Sequence, residues 1–185
     1  MLTGKKVVLR PVDIEKDFER CLGWINDRDV IHYLGKQLKP VIKEKERELL
    51  RKIATNESSV VFAIETREGT HIGLTGLHDI NHFDGTAVTG TLIGDKKYWG
   101  RGYGTDAKML LLWYAFTVLN LRRINSRVIE FNKRSLNCQL KCGYKVEGVM
   151  KKEVYKNGSY YDLVCLAVFR RGWMKRWRQY MKKSD

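Results

Sequence analysis

The chain has 185 residues, 43% hydrophobic and 30% charged, which suits one folded domain and argues against a disordered chain. Lys and Arg number 35 against 21 Asp and Glu, a formal charge of +14, so anions are the favoured partners: a phosphorylated cofactor, nucleic acid, the ribosome or acidic lipid. MLTGKKVVLR lacks the apolar core of a signal peptide, no apolar run reaches membrane-spanning length, and four cysteines form no disulfide framework, so a soluble, cytoplasmic protein with reduced thiols is expected.

In chain order, KKVVLRPV (5–12) reads as a strand that stops at Pro11. Asp13 caps a helix over 14–27 with Phe18, Cys21, Leu22 and Ile25 on one face. A second amphipathic helix over 42–54 turns Ile42, Leu49, Leu50 and Ile53 inward. Residues 59–80 read as two strands around Glu68–Gly69, and 86–94 as another. After YWGRGYGT come a helix from about Gly104 to Leu119, a strand over 122–131 and a short helix over 133–143 closed by Gly143. YKVEGVMKKEVY and SYYDLVCLAVF read as two strands joined at Asn157–Gly158. The end, RRGWMKRWRQYMKKSD, holds seven basic residues and one acidic one, with Trp173, Trp177, Tyr180 and Met181 at helical spacing. Such a helix either packs its aromatic face on the domain or meets a membrane or nucleic acid. The pattern predicts a mixed α/β (α+β) domain over 1–170 and a basic, aromatic tail over 171–185.

The segment YWGRGYGT has glycine at 100, 102 and 104 directly before its helix. Glycine lets backbone N–H groups approach a ligand closely. The first amides of a helix are unpaired and its dipole favours negative charge, so the segment can cradle a phosphate. It lacks the Lys of a phosphate-binding P-loop, and its G-x-G-x-G spacing is not the dinucleotide fingerprint G-x-G-x-x-G. On the glycines alone, a tight turn without a ligand stays open. His78 and His82 stand four apart at a strand end with no third ligand in view, so no metal site is expected. Cys138 and Cys142 share a helical face and read as core.

The succession strand, W-G-R-G-Y-G-T, helix, strand, N-K-R-S, helix, K-C-G-Y closely resembles the GNAT superfamily of acetyl-CoA-dependent N-acetyltransferases. Its motif Q/R-x-x-G-x-G/A aligns with Trp99, Gly100, Arg101, Gly102, Tyr103 and Gly104, followed by Thr105, with Trp in place of Gln or Arg. LRP in the first strand and the ending EFNKRSLNCQLKCGYKVEG resemble the branch of ribosomal-protein N-terminal and spermidine acetyltransferases. The resemblance implies one GNAT-like domain: a mixed, mostly antiparallel sheet with a splayed strand pair, flanked by helices. It implies acetyl-CoA as cofactor, its diphosphate on residues 99–105 and its pantetheine arm between 89–94 and 124–131. A backbone N–H near Leu92 or Ile93 would polarise the thioester carbonyl. Asn132 would contact the arm and Ser135 the thiolate; read locally, they are a helix N-cap and a helix-terminus hydrogen bond.

Two side chains common in the family are replaced. The Glu that serves as base corresponds to Thr89, and the Tyr that serves as acid corresponds to Gln139. Glu130, Glu153, Asp79, His78 and Asp162 are the remaining candidates for a base, with Glu153 and His78 ahead. The expected reaction is direct attack of a primary amine on acetyl-CoA in a ternary complex. A protein or peptide amino group leads as acceptor, and a polyamine or other small amine stands second. The alternative from another class is a non-catalytic module binding RNA, the ribosome or an acidic partner. The sequence is compatible with a homo-oligomer but does not write one.

Overall fold

The computed structural model describes residues 1–35 and 39–182. Its elements are β1 (Leu2–Thr3), β2 (Val7–Pro11), α1 (Ile14–Asn26), α2 (Arg28–His32), α3 (Lys43–Thr55), β3 (Val60–Thr66), β4 (His71–Asn81) and β5 (Thr86–Ile93). They continue as α4 (Tyr103–Trp113), β6 (Arg123–Ile129), α5 (Lys133–Lys141), β7 (Lys145–Lys156), β8 (Ser159–Phe169) and α6 (Arg170–Lys182). Among the described residues, eight strands form one sheet in the order β1-β2-β3-β4-β5-β6-β8-β7. Every neighbouring pair is antiparallel except β5 and β6.

That parallel pair holds the site. It runs only through Thr86↔Arg123, Ala87↔Ile124 and Val88↔Asn125. β5 continues to Ile93 and β6 to Ile129, so the two strands splay from Thr89 and Ser126 onward. The expected splayed pair is therefore present, and its apex is now located.

Two apolar cores sandwich the sheet. The larger joins Leu9, Ile64, Leu77, Leu111, Phe116, Ile124 and Leu166, and α4 fills its centre. Residues Asp106 to Leu112 of α4 are all buried, as befits a helix covered on every side. The smaller core lies under α1 and α3 and joins Phe18, Cys21, Trp24, Val30 and Leu50.

Local signals placed most boundaries. Asp13 caps α1 by accepting from the amides of Glu15 and Lys16. Asn157 and Gly158 both take positive φ, the form a two-residue hairpin demands. Two expectations are corrected. Residues 14–27 do not form one helix: Asp27 accepts from the amides of Asp29 and Val30 and caps a second short helix, α2. The helix expected to Leu119 is α-helical only to Trp113, then makes a π turn over Tyr114–Val118, where the Leu119 amide reaches the Tyr114 carbonyl.

A buried carboxylate ties the chain's ends to α4. Asp106 is fully buried; its Oδ2 accepts from the amides of Lys6 (2.7 Å) and Val7 (2.9 Å), and its Oδ1 from the Tyr180 hydroxyl (2.6 Å). Trp173 of α6 donates its indole N–H to the Cys142 carbonyl and stacks on Trp177. The aromatic face of α6 thus lies against the domain. Asp106→Ala orphans two amides and a hydroxyl, and is expected to cost about 3 kcal/mol or more in a urea titration, while Asp106→Asn loses less.

Candidate active site

A cleft of about 730 Å³ opens along the splay between β5 and β6. Its upper wall is the glycine loop: Trp99, Gly100, Gly102, Gly104 and Thr105. The three glycines have different reasons. Gly100 and Gly102 take φ of +74° and +87°, where a side chain is strained. Gly104 has ordinary φ, and a methyl group there would stand 3.6 Å from Ile93 Cγ1, a normal contact. Gly102 is the N-cap of α4 and no side chain caps the helix, so its first amides have no intrahelical acceptor and face an anion's place. Trp99 holds the loop down: its indole N–H donates to the Ile93 carbonyl at 2.6 Å, and Arg134 lies 3.9 Å over its ring.

Arg101 and Tyr103, named from the motif, do not line the cleft. Residues 101 and 103 point away from a backbone whose alternate members are the glycines, and Tyr103 packs edge-on against Tyr98 instead. On β5, Gly94 donates its amide to the Ile72 carbonyl. Strand alternation then turns the backbone of Thr91 and Ile93 toward the gap and that of Leu92 toward β4. Of the two amides named from the sequence, Ile93 is the one on the cleft side.

The lower wall comes from β6 and α5. Asn132, Ser135 and Gln139 all line it. Asn132 is an N-cap: its Oδ1 accepts from the Ser135 amide at 3.1 Å, and its Nδ2 donates to the Tyr33 carbonyl at 3.2 Å. Gln139 donates to Ser126 Oγ at 2.8 Å, while its buried Oε1 has no partner. Such an orphaned acceptor suits an amide N–H of a pantetheine arm. Arg127, Arg134 and Lys141 add positive charge suited to phosphate.

The candidate bases separate. Glu153 lines the cleft and, among the described residues, is the sole carboxylate that does. A bulge in β7 between Met150 and Val154 aims it there, with Lys152 at φ +53°. Asp162 holds that bulge: it accepts from the Lys152 amide at 3.0 Å and pairs with Lys151 at 2.8 Å, which holds its carboxyl below the usual range. Glu130 in turn accepts from the Asp162 amide at 2.8 Å. Asp79 sits at positive φ in the irregular end of β4. His78 does not line the cleft: its Nε2 lies 3.4 Å from where a Gly90 side chain would begin. Thr89 faces α4, and alternation puts the Gly90 side of β5 opposite, so His78 is on the wrong face to meet Thr89.

Three features carried no sequence signal. Lys108 is 1% exposed, lines the cleft and donates to Thr89 Oγ1 at 2.8 Å. Burial pushes its pKa down to about 8. Cys138, read as core, also lines the cleft. Its thiol is shifted down by a hydrogen bond from Cys142, helped by Thr105 and by nearby Lys108, whereas Cys142 is buried as expected. Lys156, 3% exposed, donates to the carbonyls of Ile31 and His32, tying the β7–β8 hairpin to the end of α2.

A splayed parallel pair, a glycine loop opening a central helix and an extended cleft between them define an acyl-CoA transferase fold. A model of the acetyltransferase (GNAT) domain matches residues 6–145, and the chain belongs to that family: it is an acetyl-CoA-dependent N-acetyltransferase. It is 30% identical to the spermidine N(1)-acetyltransferase of Escherichia coli (strain K12) over 169 residues, 91% of this chain and 89% of that one. It is 30% identical to the putative ribosomal N-acetyltransferase YdaF of Bacillus subtilis (strain 168) over 106 residues, 57% of each chain. Its fold is similar to the structure of spermidine N-acetyltransferase from Vibrio cholerae in complex with CoA and spermine. The TM-score is 0.84 at 24% identity, covering 91% of this chain and 98% of that one. Among the described residues no helix is long and apolar enough to cross a membrane, and no group of three metal-ligating side chains forms.

Proposed function

We propose that the acceptor is a polyamine or a similar small aliphatic amine. The likeness to spermidine N(1)-acetyltransferase over nine-tenths of both chains carries this reading. The protein amino group that led on sequence grounds becomes the second candidate, favoured by the partial likeness to a putative ribosomal N-acetyltransferase. Bound acetyl-CoA supplies the acetyl group as an activated thioester. The amides at Gly102–Thr105 hold its diphosphate, and Gln139 Oε1 and the inward backbone of β5 hold its arm. Glu153 draws a cationic amine to the cleft against the chain's general positive charge.

The test is thiol release from acetyl-CoA with spermidine, spermine, putrescine and basic N-terminal peptides as acceptors. Turnover with the polyamines and not the peptides is expected; the reverse ranking overturns the reading. Glu153→Gln is expected to raise the polyamine KM about three- to fivefold with little change in kcat, since a partly hydrated ion pair is worth up to about 1 kcal/mol.

A further inference from the structure

Lys108 is the group for which the fold gives no structural reason. It is buried in the middle of α4, and among the described residues no carboxylate pairs with it. Its ammonium has three donors, and Thr89 takes one. A buried ammonium that no carboxylate pairs with is costly and is seldom kept without use. An apolar side chain of equal length would fill the same space.

Its place along the cleft matters more than its burial. Thr89 and Ser126 are the first residues past the last β5–β6 pair, so Lys108 stands at the apex of the splay. The glycine loop stands at the other end, beside Ile93, where Gly104 and Trp99 touch that residue. About twelve bonds separate the diphosphate from the sulfur in the pantetheine arm, the reach of roughly four residues of extended chain. Four residues separate Ile93 from Thr89. An arm laid along β5 with its diphosphate on the loop therefore brings its sulfur to Thr89 and Lys108.

We propose that the Lys108 ammonium is the acid that meets the sulfur leaving acetyl-CoA, the task for which Gln139 is unfit. The proposal rests on the acetyl-CoA assignment of this cleft. The amine nitrogen bonds to the thioester carbon, the C–S bond breaks with its electron pair on sulfur, and a Lys108 Nζ proton passes to that sulfur. The surplus proton on nitrogen leaves to water, and Lys108 is reprotonated from water. The groups facing Lys108 are Thr89 of β5, Cys138 in α5 and Cys142 at its end; Tyr144 reaches Thr89 at 3.2 Å and stays a phenol, its pKa raised by burial. A Lys pKa of about 8 lies close to that of a thiol, which favours proton transfer between them.

The experiment titrates the thiol of bound CoA by its ultraviolet thiolate absorbance, in the wild type, Lys108→Met and Lys108→Gln. CoA lacking its sulfur supplies the baseline and removes the signal of Cys138 and Cys142. The bound thiol is expected to ionise about one pH unit or more lower in the wild type than in either variant. The variants are also expected to lose about 100-fold in kcat with amine KM little changed, the usual worth of one acid. Equal titration in all three, with CoA bound, overturns the proposal alone. Failure of the wild type to bind CoA overturns the acetyl-CoA assignment and the proposal with it.

Discussion

Gly102→Glu should weaken CoA binding at least about 100-fold by calorimetry, while Gly104→Ala, two residues on, should leave it within about threefold. The contrast follows from backbone and charge together. Gly102 sits at φ +87°, where a side chain costs about 1–2 kcal/mol. A carboxylate there also faces the amides and dipole that receive the diphosphate; at about 5 Å and an effective dielectric near 20, each like-charge pair costs about 3 kcal/mol. Gly104 has ordinary φ and room for a methyl group against Ile93. Gly102→Ala separates the two terms, since it keeps the strain and omits the charge. Equal loss in Gly102→Glu and Gly104→Ala would mean that the loop serves the fold and not an anion.

Lys108→Met should make the protein more stable at neutral pH while slowing it. The Lys108 pKa falls from 10.5 to about 8 on folding. At about 1.4 kcal/mol per unit, that corresponds to roughly 3 kcal/mol by which the folded state disfavours the charged form. The sign is fixed by linkage: between the two pKa values the unfolded chain binds more protons than the folded one, so stability rises with pH there. The cost is fully present below about pH 8 and is relieved as pH rises toward 10.5. The variant's advantage over the wild type should therefore be about 2–3 kcal/mol at pH 7, less the lost Thr89 bond, and should shrink steadily by pH 10. Denaturant titrations of both proteins across that range check it. A pH-independent difference would mean that folding leaves the Lys108 pKa unshifted. Higher stability joined to lower turnover is the exchange expected of a residue kept for chemistry.

What the sequence by itself determined is what short-range rules govern. The glycine loop before an apolar helix, the Asp13 cap and the Asn157–Gly158 hairpin each depend on residues a few positions apart. The ordered motifs from LRP to KCGY carried the family resemblance, and with it the splayed pair and the cofactor. Tertiary structure alone decided where polar side chains point. Glu153 and His78 were equal candidates in one dimension; a bulge in β7 turned the first into the cleft, and strand alternation put the second on the other face. Cys138 and Cys142 share a helical face, yet one meets the cleft and the other the core. Asp106 reads as an ordinary first-turn acid until it is seen holding amides about a hundred residues earlier in the chain. Lys108 reads as one more of many surface lysines until α4 is enclosed on all sides and the helix turns it onto Thr89. Periodicity reports which face of an element is apolar; it does not report which distant partner covers that face. Charge, burial and pKa at the site depend on those partners.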